Sequence, residues 1–239
     1  GYTHISTSRL QLFDPYHRRN SFSAAHYKII LMNNEDDHRP VADGKTKSGQ
    51  KFVVVGCGMV GVVLAIELKR RFPECSVTLL EKLTEAEATN GSWVIGLAAP
   101  GLKALSNNPV LLEKIKKSGM YFDPMKKSVY MNKRFVGSNK LDFPGGDEEM
   151  NYMIGIDRGI VLKVCLSHLK EEHPDVDILF GHRLVTIDEG KSILMTEPPL
   201  PSFKFDLLFG ADGGNSKVRR CCDSIHRGSH VTPFTLDLL

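Results

Sequence analysis

The 239-residue chain predicts an α/β fold: a Rossmann-like nucleotide-binding domain with a β-rich insertion. Three observations predict it. An apolar, β-branched run, Phe52-Val53-Val54-Val55, leads into Gly56-Cys57-Gly58-Met59-Val60-Gly61, which is G-x-G-x-x-G. An apolar helical stretch follows, Val62 to Phe72, and Pro73 stops it. A second strand, Ser76 to Leu80, ends on Glu81, at the spacing of about twenty residues from the last glycine that a βαβ dinucleotide site requires.

Each residue type has a physical reason. Gly56 permits the tight turn out of the strand, and Gly58 lets a pyrophosphate approach the backbone. Gly61, helped by the small Ala65, brings the helix close to the sheet. The helix N-terminus, at Met59 and Val60, offers free N–H groups and a positive dipole end to phosphates. Glu81, followed by Lys82, can accept hydrogen bonds from both ribose hydroxyls of an adenosine, and its charge disfavours a 2′-phosphate. FAD or NAD therefore suits this site better than NADP.

Before this unit, residues 1–48 read as a polar extension without periodicity, expected to be disordered, with a faint likeness to an organelle transit segment. GKTKSG within it is not a P-loop, because the spaced first glycine and the preceding strand are missing. After it, Leu83 to Asn90 reads as polar loop and 91–97 as an apolar segment. Pro100-Gly101 breaks that segment and starts a short helix, Leu102 to Leu105. Pro109 starts another, Val110 to Lys117, closed by Gly119. Ser128 to Val136 alternates around a turn at Asn132-Lys133 and predicts a hairpin. The stretch 142–149 is a Pro/Gly/acid loop, and residues of about 120–155 form the β-rich insertion.

Tyr152 to Ile156 predicts a strand, and Asp157 an N-cap for a helix running from Arg158 to Glu172 with Val161, Cys165, Leu166 and Leu169 on its apolar face. Val176 to Phe180 is a short buried strand. Leu184 to Asp188 and Ser192 to Thr196 flank Glu189-Gly190 as a hairpin. Phe205 to Phe209 is a strand running into Gly210-Ala211-Asp212-Gly213-Gly214, a second phosphate-cradle candidate followed by a basic helix start. Beyond Arg220 the sequence predicts no element, so 221–239 reads as an irregular tail and 49–220 as the folded domain.

Composition narrows the function. With 31 basic and 28 acidic residues the net charge of +3 is too balanced to argue for nucleic acid or an anionic membrane. The most apolar helical stretch is interrupted by Glu67, Lys69, Arg70 and Arg71, so no membrane segment is expected. Five cysteines without a spacing framework point to a reducing, intracellular compartment, cytoplasmic or mitochondrial. Cys222, His226 and His230 lack a second ligand pair, so no metal is expected.

Three features in order, the G-x-G-x-x-G with its distal glutamate, an arginine opening a helix after a strand (IDRGIVLKVCLSHL), and GADGGNSKVRR after a strand, resemble the class A FAD-dependent aromatic monooxygenases, the family of 4-hydroxybenzoate hydroxylase. Within it, NYMIGIDRGIVLKVCLSHLKEEHPDVDILFGHRLVTID is most similar to the kynurenine 3-monooxygenases. The resemblance covers residues of about 51–220 and implies a GR2-type FAD-binding domain, C-terminally truncated, since no G-D-A-x-H follows.

It implies hydroxylation of a small aromatic, kynurenine-like substrate with NADPH or NADH and O2. By the same resemblance Gly56, Gly58 and Gly61 cradle the pyrophosphate of FAD and Glu81 holds its ribose. Arg158 contacts the flavin nucleotide, Leu184 meets the adenine side through its backbone, and Asp212 belongs to a motif serving both FAD and NAD(P)H. The bland alternative for Arg158 is a surface ion pair. Where kynurenine 3-monooxygenases carry a substrate-binding arginine after Pro-Met, this chain has Lys126-Lys127-Ser128 after Pro124-Met125, and lysine is not equivalent to a bidentate fork. No acid–base catalyst is assigned. Two alternatives stay open on the sequence: a catalytically incompetent fragment or pseudo-enzyme, and an NAD-dependent Rossmann dehydrogenase.

Overall fold

A computed structural model of the chain describes residues 31–33, 49–91, 93–122, 126–140, 152–188, 191–201 and 203–225. Its centre is a five-stranded sheet of order β1-β13-β2-β3-β9, formed by β1 (Leu31–Asn33), β13 (Leu207–Gly210), β2 (Lys51–Val55), β3 (Ser76–Leu80) and β9 (Asp177–Leu179). All strands run parallel except β1, which pairs antiparallel with β13. The run Phe52 to Val55 is buried on both faces, as a central parallel strand must be.

Alternation along β2 divides the core. Phe52 and Val54 face the helices α1 (Met59–Arg71) and α5 (Arg158–Glu172), joined by Leu64, Val161 and Leu169. Val53 and Val55 face the opposite layer, a three-stranded sheet of β10 (Arg183–Asp188), β11 (Ile193–Glu197) and β12 (Phe203–Lys204) with α6 (Lys217–Ile225). Leu184, Leu194, Val218, Cys221 and Cys222 fill that second layer. A satellite sheet of β4 (Val94–Leu97), β8 (Met153–Asp157) and β5 (Met120–Phe122) extends the helical side, backed by α3 (Ala99–Ser106) and α4 (Pro109–Ser118).

Most elements stand where the sequence puts them. Ser76–Leu80 matches to the residue, and Asp157 caps α5 by accepting from the N–H groups of Gly159 and Ile160. The hairpin of β6 (Lys126–Met131) and β7 (Arg134–Lys140) turns at Asn132 and Lys133, both at positive φ (51° and 65°), as a two-residue primed turn requires.

Five expectations need correction. Leu83 to Asn90 is not all loop: α2 (Glu85–Ala88) forms there under a capping box between Thr84 and Glu87. The helix after the apolar segment is longer than Leu102 to Leu105: α3 runs from Ala99 to Ser106, with Pro100 in its first turn, where its missing N–H costs nothing. Phe205 to Phe209 is not one strand; β12 precedes it and β13 begins at Leu207. Nor is the stretch after Arg220 irregular, because α6 runs to Ile225. Finally, residues 31–33 of the expected extension pair with the edge of the main sheet. The remainder of 1–48, the loop 142–149, the turn at 189–190 and the tail beyond 225 lie outside the described residues.

Candidate nucleotide site

The site is built where the chain changes direction across the sheet. From β2 it proceeds to β3 on one side, and β13 later joins β2 on the other. The carboxyl ends of β2 and β13 therefore flank a topological switch point, the place where open α/β sheets bind ligands. The two glycine-rich stretches leave these two strand ends and touch. Ala211 N donates to Val55 O at 2.8 Å, and a Cβ on Gly56 would stand 2.5 Å from Ala211 O. Gly56 also adopts φ +104°, a conformation that favours glycine.

The other two glycines of the first turn differ from each other. A Cβ on Gly61 would fall on the Gly56 carbonyl oxygen, so Gly61 is needed for α1 to close onto the turn. Gly58 has nothing within 4 Å of where its Cβ would be. It is the N-cap of α1, with no side-chain cap bond and no acidic residue in the first turn. The leading N–H groups of Met59 and Val60 and the positive helix end thus face open space beside Gly58, which is what a phosphate requires.

Glu81 lies beside that turn. Its carboxylate accepts from Cys57 N–H at 2.8 Å and from Leu83 N–H at 3.0 Å, one oxygen each. A carboxylate offers about four lone-pair positions, so capacity for two hydroxyl donors remains. Lys82 beside it is exposed. The Glu81 backbone carbonyl accepts from His182 N–H at 2.9 Å, which brings the His182-Arg183-Leu184 run to the same strand end. Leu184 buries its side chain under the sheet, and the β10–β11 register shifts just after it. Burial, reinforced by the Glu81 and Glu85 carboxylates, pushes the Cys57 thiol up to about 12, so Cys57 is a neutral packing residue and not a nucleophile.

Asp212 serves the second glycine run. One of its oxygens accepts from Lys217 N–H at 2.6 Å and Val218 N–H at 3.2 Å, holding the start of α6. Its other oxygen, Oδ1, is buried with no hydrogen-bond partner. A buried carboxylate oxygen left unpaired costs free energy unless a donor arrives, and here it sits at the switch point. Arg219 steadies the turn by donating to Gly214 O at 2.6 Å.

Arg158 opens α5; among the described residues no hydrogen bond or ion pair joins it to Gly56–Gly61, Glu81 or Asp212. Nor does it form an ion pair among the described residues; its guanidinium lies over the Trp93 ring, 5.7 Å from the centroid. Sequence reasoning did not single out Trp93, because its contact with Arg158 is long-range. The side chains of Lys126 and Lys127 lie outside the described residues. Among the described residues no three His, Cys, Asp or Glu converge on a metal position, and no helix is long and apolar enough to cross a membrane.

No protein-family model matches the chain. It is 30% identical over 189 residues to a kynurenine 3-monooxygenase of Neurospora crassa, covering 71% of this chain and 36% of that enzyme. It is 25% identical over 197 residues to one of Salinispora tropica, covering 77% and 41%. The chain thus spans about two fifths of the length of these relatives. Among solved structures, it shares the fold of 2-methyl-3-hydroxypyridine-5-carboxylic acid oxygenase, with TM-score 0.58 and 23% identity over 74% of this chain and 43% of that one. It shares it also with p-nitrophenol 4-monooxygenase from Pseudomonas putida, with TM-score 0.56 and 21% identity over 74% and 44%.

Proposed function

We propose that this chain, a relative of the kynurenine 3-monooxygenases and with them of the FAD-dependent aromatic monooxygenases, binds FAD and serves hydroxylation of a small aromatic, kynurenine-like substrate with NADPH or NADH and O2. The observation that carries this reading is the meeting of two glycine-rich strand ends at the switch point, with Gly58 open on one and Asp212 Oδ1 unpaired on the other. The relatives lend no support to an NAD-dependent dehydrogenase.

The residues present fit a dinucleotide. The N–H groups of Met59 and Val60 would receive the pyrophosphate across Gly58, between the walls set by Gly56 and Gly61. Glu81 would hold the adenosine ribose with its two remaining lone-pair positions, Lys82 lying beside it. Leu184 would offer backbone to the adenine side, and Arg158 would pair with the anionic part of the nucleotide. Asp212 would use its unpaired oxygen as a hydrogen-bond acceptor. FAD, when bound, supplies the oxygen-transfer chemistry; this chain's residues bind and orient it. The nucleotide domain would comprise 49–225, with part of the substrate domain at about 120–155.

The test is turnover by the FAD-loaded chain. NAD(P)H oxidation should accelerate on adding kynurenine, and the product should carry one more oxygen atom. Oxidation indifferent to kynurenine, or without a hydroxylated product, would argue against this substrate class.

A further inference from the structure

Trp93 is the chain's single tryptophan, and it stands 60% exposed on the loop entering β4. A side chain of that size ordinarily gains by burial, so its exposure calls for another use. Its position is fixed by backbone. Arg158 N–H donates to Trp93 O at 3.1 Å. Just before it, Thr89 to Gly91 lies flat on the first turn of α5: a Cβ on Gly91 would meet Gly159 N, and one on Gly159 would meet Thr89 O. Backbone contacts on either side of Ser92 therefore join this segment to the first turn of α5.

Over the Trp93 ring lies the Arg158 guanidinium, which makes no hydrogen bond or ion pair among the described residues. A guanidinium held against an aromatic face keeps its in-plane N–H donors free, in the fork that matches a phosphate. The charge sits at the start of a fifteen-residue helix whose N-cap, Asp157, spends its carboxylate on the N–H groups of Gly159 and Ile160 and, among the described residues, forms no ion pair with Arg158. Trp93 thus stands against a guanidinium that, among the described residues, no carboxylate pairs with.

We infer that Trp93 is a positioning residue, holding Arg158 so that its donor edge meets a phosphate of the bound dinucleotide. This rests on the FAD reading above.

The experiment compares FAD titrations of the unaltered chain with Trp93→Leu, Trp93→Phe, Arg158→Gln and the Trp93→Leu/Arg158→Gln pair, with Glu81→Ala as a control for the site. Trp93→Leu should raise Kd about three- to tenfold and Trp93→Phe less, because a ring is retained. The double variant should bind no more weakly than Arg158→Gln alone.

A second readout uses adenosine diphosphate, which brings phosphates without a flavin. It should shift Trp93 emission in the unaltered chain and leave it unmoved in Arg158→Gln, an effect that a merely packing role for Trp93 would not produce. Additive losses in the double variant, or unchanged affinity in Trp93→Leu while Glu81→Ala abolishes binding, would overturn this inference alone. Absence of FAD binding by the unaltered folded chain would overturn it together with the reading it rests on. If Trp93→Leu does not fold, Trp93→Phe and the adenosine diphosphate response decide.

Discussion

Gly58→Ala and Gly61→Ala should have opposite consequences, although both alter the same turn. At Gly61 the new methyl would fall on the Gly56 carbonyl oxygen, and Gly56 is itself tied to β3 through its N–H bond to Leu80 O at 2.8 Å. Neither partner yields without parting α1 from the sheet, an overpacking cost of about 1–3 kcal/mol. With a urea slope of about 2–3 kcal/mol/M, a loss of about 2 kcal/mol lowers the unfolding midpoint by roughly 0.7–1 M.

Gly58, at φ −77° and ψ 178°, has a backbone that alanine adopts freely, and its Cβ meets nothing within 4 Å. Its substitution should leave stability within about 1 kcal/mol, the gain through the unfolded chain being offset by alanine's poorer performance as an N-cap. The same methyl would occupy the phosphate approach, so FAD affinity should fall by about tenfold or more, each tenfold being about 1.4 kcal/mol. Urea unfolding and FAD titration on both variants separate the two roles. A Gly58→Ala chain that unfolds early yet binds FAD normally would refute the assignment of Gly58 to the ligand and Gly61 to the fold.

Three further outcomes follow from buried polar groups. Lys69, 5% exposed, donates to Pro73 O and Cys75 O at 2.7 and 3.0 Å and pairs with Asp175 at 2.6 Å; Lys69→Met should cost about 1–3 kcal/mol in urea unfolding by leaving these acceptors unpaired. Asp212→Ala removes the acceptor for Lys217 and Val218 N–H and should cost about 1 kcal/mol, read from thermal unfolding, while Asp212→Asn should keep most of it. His168 is buried between α4 and α5 against Asn108 and Lys114, with Glu171, Glu172 and His173 also acting on it; burial first, then the Lys114 charge, hold its pKa below the ordinary 6.5. The unfolded chain then binds the proton more readily, so stability is full above 6.5 and declines as pH falls from there toward the folded pKa, and His168→Gln should flatten that part of the pH–stability curve.

The glycine turn of the candidate site was legible because its signals are local. Strand, glycine turn, helix and terminal glutamate occur in one stretch, and each residue type answers to one requirement of the turn. What was missed depends on distant partners or weak periodicity. The strand Leu31–Asn33 exists only as a partner to β13, far along the chain. The helix Lys217–Ile225 buries Val218, Cys221 and Cys222, a helical stripe that polar neighbours obscured. The short helix Glu85–Ala88 carried a readable capping signal in Thr84 and Glu87 but no apolar run behind it. Trp93 gave no signal at all, since its significance lies in the approach of Arg158 across the satellite sheet.

The most direct test of a nucleotide site at the junction of β2 and β13 is an FAD titration of the purified chain, followed by flavin absorbance and fluorescence, with Glu81→Ala alongside. Saturable binding that Glu81→Ala abolishes is the predicted result. A folded chain that binds no FAD, or one that binds it equally well without the Glu81 carboxylate, would contradict the account.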